Sequence, residues 1–108
     1  MGQPVAREGD EVDTGHGCDV TTNIAEINSA SRRVVICGKD VAVKGDPMDF
    51  HTITNPAPPP APPCITHVGA VINEGSAKVL VGGKPIARVG DSADLGTINS
   101  GCSTVLAG

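Results

Sequence analysis

Pro4-Val5-Ala6-Arg7-Glu8-Gly9-Asp10, near the start of the chain, returns as Pro85-Ile86-Ala87-Arg88-Val89-Gly90-Asp91 near its end. A looser copy, Asp40-Val41-Ala42-Val43-Lys44-Gly45-Asp46, lies between them. Each copy alternates small apolar residues with others and then closes on Gly-Asp. A period of two reads as a short strand, and Gly-Asp reads as the turn that ends it. A repeated unit takes precedence over every other pattern, because the fold follows from how the copies stack.

Residues 27–46 lie over residues 72–91 without a gap. The identities include Ile27/Ile72, Asn28/Asn73, Ser31/Ser76, Val34/Val79 and the closing Gly45-Asp46/Gly90-Asp91. A third unit begins at Thr97-Ile98-Asn99-Ser100-Gly101, sets Val105 against Val79 and ends at Gly108 without its heptapeptide. The copy at 4–10 can supply the missing strand. The expectation is therefore one domain over 1–108, with two continuous repeats and a third split between the termini. Closing such a ring hides strand edges that would otherwise stay open. The expected fold is all-β, a small pseudo-threefold β-prism of short strands and tight turns. Each unit should run from a short strand (Ile27-Asn28 or Ile72-Asn73) to an apolar strand (Val34-Val35-Ile36 or Val79-Leu80-Val81). A hairpin turn at Gly38-Lys39 or Gly82-Gly83-Lys84 then leads into the heptapeptide.

Composition agrees with a turn-rich fold. The 108 residues include 14 Gly and 9 Pro, no Trp or Tyr, and Phe50 as the single aromatic. Small domains with so thin a core commonly rely on a disulfide, a metal or a partner chain. A net charge of −4 without a basic cluster argues against nucleic acid as a partner. No apolar run reaches the length of a membrane span and no signal-peptide pattern precedes Pro4, so the expectation is a chain made in the cytoplasm. Residues 55–63, rich in proline, cannot be a central strand or a helix interior. They read as a stiff polyproline-like loop, with recognition by a partner domain as the sharper reading. Cys18, Cys37, Cys64 and Cys102 could form two disulfides in any of three pairings. Reduced thiols are the expectation for a cytoplasmic chain, with Cys37 and Cys102 as small buried fillers.

The three histidines follow the repeat. His16 comes shortly after Gly9-Asp10, His51 shortly after Gly45-Asp46, and His67 three positions after Cys64. Equivalent loops of a threefold ring converge at one end, so His16, His51 and the Cys64-Ile65-Thr66-His67 segment should meet there. Three imidazoles and a thiolate form a closed tetrahedral zinc set, structural rather than catalytic. The bland reading is three surface histidines with no common role. Cys18, two residues from His16, competes with Cys64 as the fourth ligand, and Cys64 is preferred for its pairing with His67. Asp10, Asp46 and Asp91 recur once per repeat, which points to turn chemistry rather than acid–base catalysis. Arg7 and Arg88 read as solvated or partner-facing strand residues.

Pro4-Val5-Ala6-Arg7 and Pro85-Ile86-Ala87-Arg88 resemble the Pro-Ala-Ala-Arg signature of PAAR-repeat proteins. The Gly15-His16-Gly17 loop, the Cys64-x-x-His67-x-Gly69 segment and the Gly75-Ser76…Val79 turn-strand resemble that family too. The resemblance implies a small conical β domain whose apex is pinned by one structural Zn2+, held by three histidines and one cysteine. In this chain those ligands would be His16, His51, Cys64 and His67. It further implies a cap on the trimeric spike of a contractile injection machine, whether a type VI secretion system or a phage tail, driven through a target membrane without catalysis. The partner would be a VgrG-like or phage tail-spike β-helix, with one copy of this chain per trimer and any effector cargo a separate protein. The protein would act at the tip of the apparatus, outside the cell that made it. Two departures stand out: the middle motif lacks its arginine, and the last repeat lacks the cysteine often found after its Gly-Asp. The competing readings are a free-standing binding or effector-adaptor module and a small zinc hydrolase.

Overall fold

The computed structural model of the chain describes residues 2–25 and 34–108. Among these the regular structure is all strand: β1 (Gln3–Val5), β2 (Glu11–Asp13), β3 (Thr21–Asn23), β4 (Val35–Ile36), β5 (Lys39–Asp40), β6 (His51–Thr54), β7 (Cys64–His67), β8 (Leu80–Val81), β9 (Lys84–Pro85), β10 (Ser92–Ala93), β11 (Gly96–Thr97) and β12 (Cys102–Ala107). They pair antiparallel in two-stranded ladders, β1 with β12 and the others as consecutive hairpins. The body is elongated, 47 × 29 × 21 Å.

The heptapeptides tie these ladders together. Val5 bridges to Arg88, Val41 to Arg7 and Ile86 to Val43, so the second residue of each copy meets the fourth residue of another. The central alanines close the same cycle with main-chain bonds: Ala6 N–H to Ala87 O at 2.9 Å, Ala42 N–H to Ala6 O at 3.0 Å, and Ala87 N–H to Ala42 O at 2.9 Å. Three strands crossing one axis can each share only a single residue pair before they diverge. The alternating stretch therefore forms isolated bridges instead of a longer ladder. A bulkier side chain at the crossing would force the strands apart, and Ala6, Ala42 and Ala87 are all fully buried there.

Layers of equivalent side chains stack along this axis. Val5, Val41 and Ile86 pack with Ala107 on one side of the alanines. Ile24, Ile72 and Ile98 pack on the other, together with Val12, Met48 and Ala93. A second cycle of bridges links Val12 with Ile98, Ile24 with Met48 and Ile72 with Ala93. The isoleucines correct one detail of the repeat alignment. Ile24, not Ile27, takes the place of Ile72 and Ile98, because each donates its N–H to the Gly-Asp aspartate carbonyl, Asp10, Asp46 or Asp91. The first unit carries three more residues between Ile24 and Val34 than the second has between Ile72 and Val79. The strand expected at Ile27-Asn28 lies outside the described residues, as does Ser31. Ile72 itself takes part in bridges only. Phe50, the lone aromatic, is 73% exposed and contributes nothing to the core.

The hairpin turns fall within one residue of where the sequence places them. Cys37 and Gly38 (φ 51° and 79°) join β4 to β5, and Gly82 and Gly83 (φ 59° and 82°) join β8 to β9. Positive φ at both central residues is the two-residue turn whose twist matches the flanking strands. β1 pairs with β12 through Pro4 and Leu106, in the register that Asp40 keeps with Val35 and Pro85 with Leu80.

The Gly-Asp turn is a specific device. Each aspartate carboxylate accepts the main-chain N–H three residues earlier: Arg7 to Asp10 at 2.6 Å, Val43 to Asp46 at 2.8 Å and Arg88 to Asp91 at 2.8 Å. Arg7 and Arg88 are not turned outward as expected; they fold back onto the same carboxylates, at 3.1 and 2.8 Å. Val43 keeps the main-chain bond with no arginine, so the guanidinium is secondary to the turn. Asp46→Ala is expected to cost about 1–3 kcal/mol, because it leaves the buried Val43 N–H without that acceptor. Arg88→Ala, which removes a partly exposed ion pair, should cost less than about 1 kcal/mol. Urea unfolding of both variants checks the order, and equal losses would contradict it.

Candidate metal centre

The three hairpins that follow the Gly-Asp turns converge at one place. The β2–β3 hairpin carries His16 in its connecting loop, β6–β7 carries His51 and His67, and β10–β11 carries Asp94 in its turn. His51 opens β6 and His67 closes β7, and the two sit opposite each other in the ladder. One donor atom from each of His16, His51, His67 and Asp94 lies within 4.8 Å of the other three. The imidazoles stand edge to face, with centroids 4.9 to 5.3 Å apart and interplanar angles of 75° to 85°. Asp94 Oδ2 is 2.6 Å from His16 Nε2, 2.8 Å from His51 Nε2 and 3.5 Å from His67 Nδ1. His67 Nδ1 is 3.1 Å from His51 Nε2.

The chemistry of this set suits a cation. His51 Nδ1 lies 3.1 Å from the Asp49 carbonyl, which can only accept, so the ring proton belongs on Nδ1. That leaves a lone pair on Nε2, aimed at a carboxylate oxygen and at a second imidazole nitrogen. Such a convergence is repulsive unless a positive charge is shared among the groups. A carbonyl holding the far nitrogen of a ligating histidine is also the usual way such rings are oriented. A tetrahedral ion with bonds of about 2.0–2.1 Å sets its ligand atoms roughly 3.3 Å apart, comparable with these spacings. Three imidazoles and a carboxylate therefore fit one zinc ion, with all four positions supplied by the chain.

The supporting structure combines main-chain bonds with a few short polar side chains. Asp94 occupies a left-handed turn position (φ 54°). Its N–H bonds Val71 O at 3.0 Å, and the next N–H, of Leu95, bonds Thr14 O at 3.1 Å. Gly15 (φ 78°) lies so close to the Leu95 carbonyl that a Cβ there would collide with it. Fully buried Thr14 shapes the loop by donating to Asp19 O at 2.8 Å and accepting from His16 N–H at 3.3 Å. Asp19 then clamps the loop to β6, accepting from Thr52 N–H at 2.8 Å and Thr52 Oγ1 at 2.9 Å. These bonds, the main-chain one first, hold the Asp19 carboxyl below its ordinary value of 3.8. A lowered pKa keeps the clamp complete above the ordinary carboxylate range, and it is lost only as pH falls through the lowered value. In an NMR acid titration the Thr52 amide should move with a midpoint below 3.8; a midpoint at or above 3.8 would contradict the clamp.

His16, His51 and His67 come together as the repeat implied, but Cys64 does not join them. It pairs with Thr54 at the far end of the β6–β7 ladder and is disulfide-bonded to Cys18. The reason is strand geometry. Residues three apart on a strand point to opposite faces and are about 10 Å apart along it, so a Cys-x-x-His within β7 cannot chelate. Cys18, the alternative fourth ligand, is consumed by the same bond. Cys37 and Cys102 are also paired with each other, not free fillers, although Cys102 is buried as expected. Asp94, the fourth donor, lies outside the set the sequence suggests. Its signal was the third post-Gly-Asp loop, Ser92-Ala93-Asp94-Leu95-Gly96, which occupies the place of the loops bearing His16 and His51 and offers one strong ligand.

A family model described as the PAAR motif matches residues 64–108, the span from β7 to β12 that holds His67, Asp94 and the last heptapeptide. No curated protein matches the chain. The PAAR motif is associated with the spike tips of contractile injection systems. Residues 64–108 thus carry a PAAR motif, and the heptapeptides at 4–10 and 40–46 resemble the one at 85–91 within it, which is consistent with a PAAR-repeat protein.

Proposed function

We propose that this chain is the structural tip of a contractile injection machine, a type VI secretion system or a phage tail. It caps the trimeric spike and sharpens it for membrane puncture. The observation that carries the reading is the closed three-way pairing of Ala6, Ala42 and Ala87, which gives one chain an approximate threefold axis. A blunt trimeric β-helix presents three equivalent strand edges, and a single pseudo-threefold chain can cover all of them at once. In this reading residues 1–108 act as one unit, with β1 completing the repeat that β12 begins. One structural zinc is held by His16, His51, His67 and Asp94, and it cross-links three hairpins at an end with little apolar core. Four protein donors leave no position for a substrate or water, which favours a structural ion over a hydrolase. The protein would be made in the cytoplasm and leave on the apparatus, carrying any attached effector cargo with it.

The test is co-purification with a trimeric β-helical spike protein of such a machine. One copy of the chain per trimer is expected, with spike binding retained when the loop at 55–63 is shortened. Capture of a soluble partner through that loop, with no affinity for the trimer, would replace this reading by the adaptor one.

A further inference from the structure

We propose that the Cys18–Cys64 disulfide is a redox-released strap on the metal centre. Closed, it holds the His16 loop in its ligating position; opened by a dithiol reductant, it lowers metal affinity without supplying a new ligand. The inference rests on the reading of His16, His51, His67 and Asp94 as a metal site.

The cross-link joins the loop that carries His16 to β7, the strand that carries His67. It therefore fixes two donor-bearing segments to one another, across 46 residues of sequence. The loop's other fastenings lie towards its two ends, at Thr14 and at Asp19. Between them the backbone is unusual, with Gly15 at φ 78° and Cys18, a residue with a Cβ, at φ 64°. A left-handed conformation is unfavourable at a non-glycine residue and persists where surrounding structure imposes it. Cys18 and Cys64 are both exposed, so a reductant can reach this bond, whereas in the second pair Cys102 is buried. Cys64 is also on the face of β7 opposite His67, so its freed thiol is directed away from the donors.

The opening step is thiol–disulfide exchange. A thiolate of the reductant attacks one sulfur and the Cys18–Cys64 bond breaks. The reductant's second thiolate then attacks its own sulfur in the mixed disulfide and displaces the remaining protein thiolate. The reductant supplies two electrons and leaves as its own disulfide, while Cys18 and Cys64 take up two protons. The metal centre would thus be firmest in an oxidising compartment and looser in a reducing one.

The experiment compares zinc affinity, by competition with a chromophoric chelator, in the oxidised protein, Cys18→Ser/Cys64→Ser and Cys37→Ser/Cys102→Ser. Tenfold or greater weakening is expected in the first variant and not in the second. Cobalt-loaded protein, oxidised or reduced with a phosphine, should lack thiolate-to-metal charge-transfer absorption. Unchanged affinity would overturn the strap. So would tighter binding on reduction with a new charge-transfer band, which would make Cys64 or Cys18 a ligand. Amide exchange at residues 15–18 in metal-free protein separates the two layers of the argument. It should quicken when the strap is opened, and unaltered exchange also overturns the proposal. If no form of the protein binds zinc or cobalt, the metal reading falls, and this exchange comparison alone decides whether the disulfide holds the loop.

Discussion

His51→Ala is expected to abolish stable zinc binding and to melt where the metal-free wild-type protein melts. Of the three histidines it has the least exposed side chain, at 2% against 15% for His16 and 28% for His67. It is also the most connected, touching Asp49 O, Asp94 and His67. An ion that binds only the folded state stabilises it by about 4 kcal/mol at a thousandfold excess over Kd. For a domain near this size that corresponds to a rise in Tm of roughly 15–30 °C. Chelation should therefore lower Tm by an amount in that range for the wild type and leave His51→Ala unmoved. His67→Ala, at the exposed side of the cluster, should weaken zinc without eliminating it. One full equivalent of zinc in His51→Ala by elemental analysis, or a wild-type melting temperature indifferent to chelation, would sink the structural-zinc reading.

What could be read ahead of the structure depended on how the chemistry is distributed along the chain. The heptapeptide was legible because the axis demands the same thing three times: a small residue at the crossing and an aspartate to receive the turn's N–H. Position four was legible only in part, since Val43 does the main-chain work of Arg7 and Arg88. The histidines were legible because threefold closure brings equivalent loops together, and imidazoles are scarce enough to be noticed. Asp94 was hidden by its commonness, as one of 12 acidic residues in a chain full of acidic turns. Cys64 misleads because its Cys-x-x-His spacing and the family resemblance both point to chelation, whereas a three-residue interval serves a helix or turn but not a strand. The cysteine pairs were opaque for another reason. The cross-links span 46 and 65 residues, and such long-range proximity follows from the closed ring, not from local pattern.

The ring itself predicts the second large effect. Ala42→Leu should destabilise the protein by about 3 kcal/mol or more, lowering Tm by at least roughly 12 °C. Ala42 has no exposed surface, and its N–H and the Ala6 carbonyl are 3.0 Å apart, while its own carbonyl accepts from Ala87 N–H at 2.9 Å. Three added carbons have no direction in which to go: the Val5, Val41 and Ile86 layer lies on one side and the Ile24, Ile72 and Ile98 layer on the other. Relief requires the three heptapeptides to separate, which breaks the cyclic bonds at Ala6, Ala42 and Ala87 together. The same change at Ala6 or Ala87 should therefore cost a similar amount, although the three residues sit in different parts of the sequence. That near-equality is the sharper measurement. If Ala6→Leu near the N-terminus were tolerated while Ala42→Leu unfolded the protein, β1 would be an appendage and not a full third of the ring. If all three fell together, the heptapeptides would be one energetic unit, and the proposed threefold match to a trimeric spike would rest on a single cooperative core.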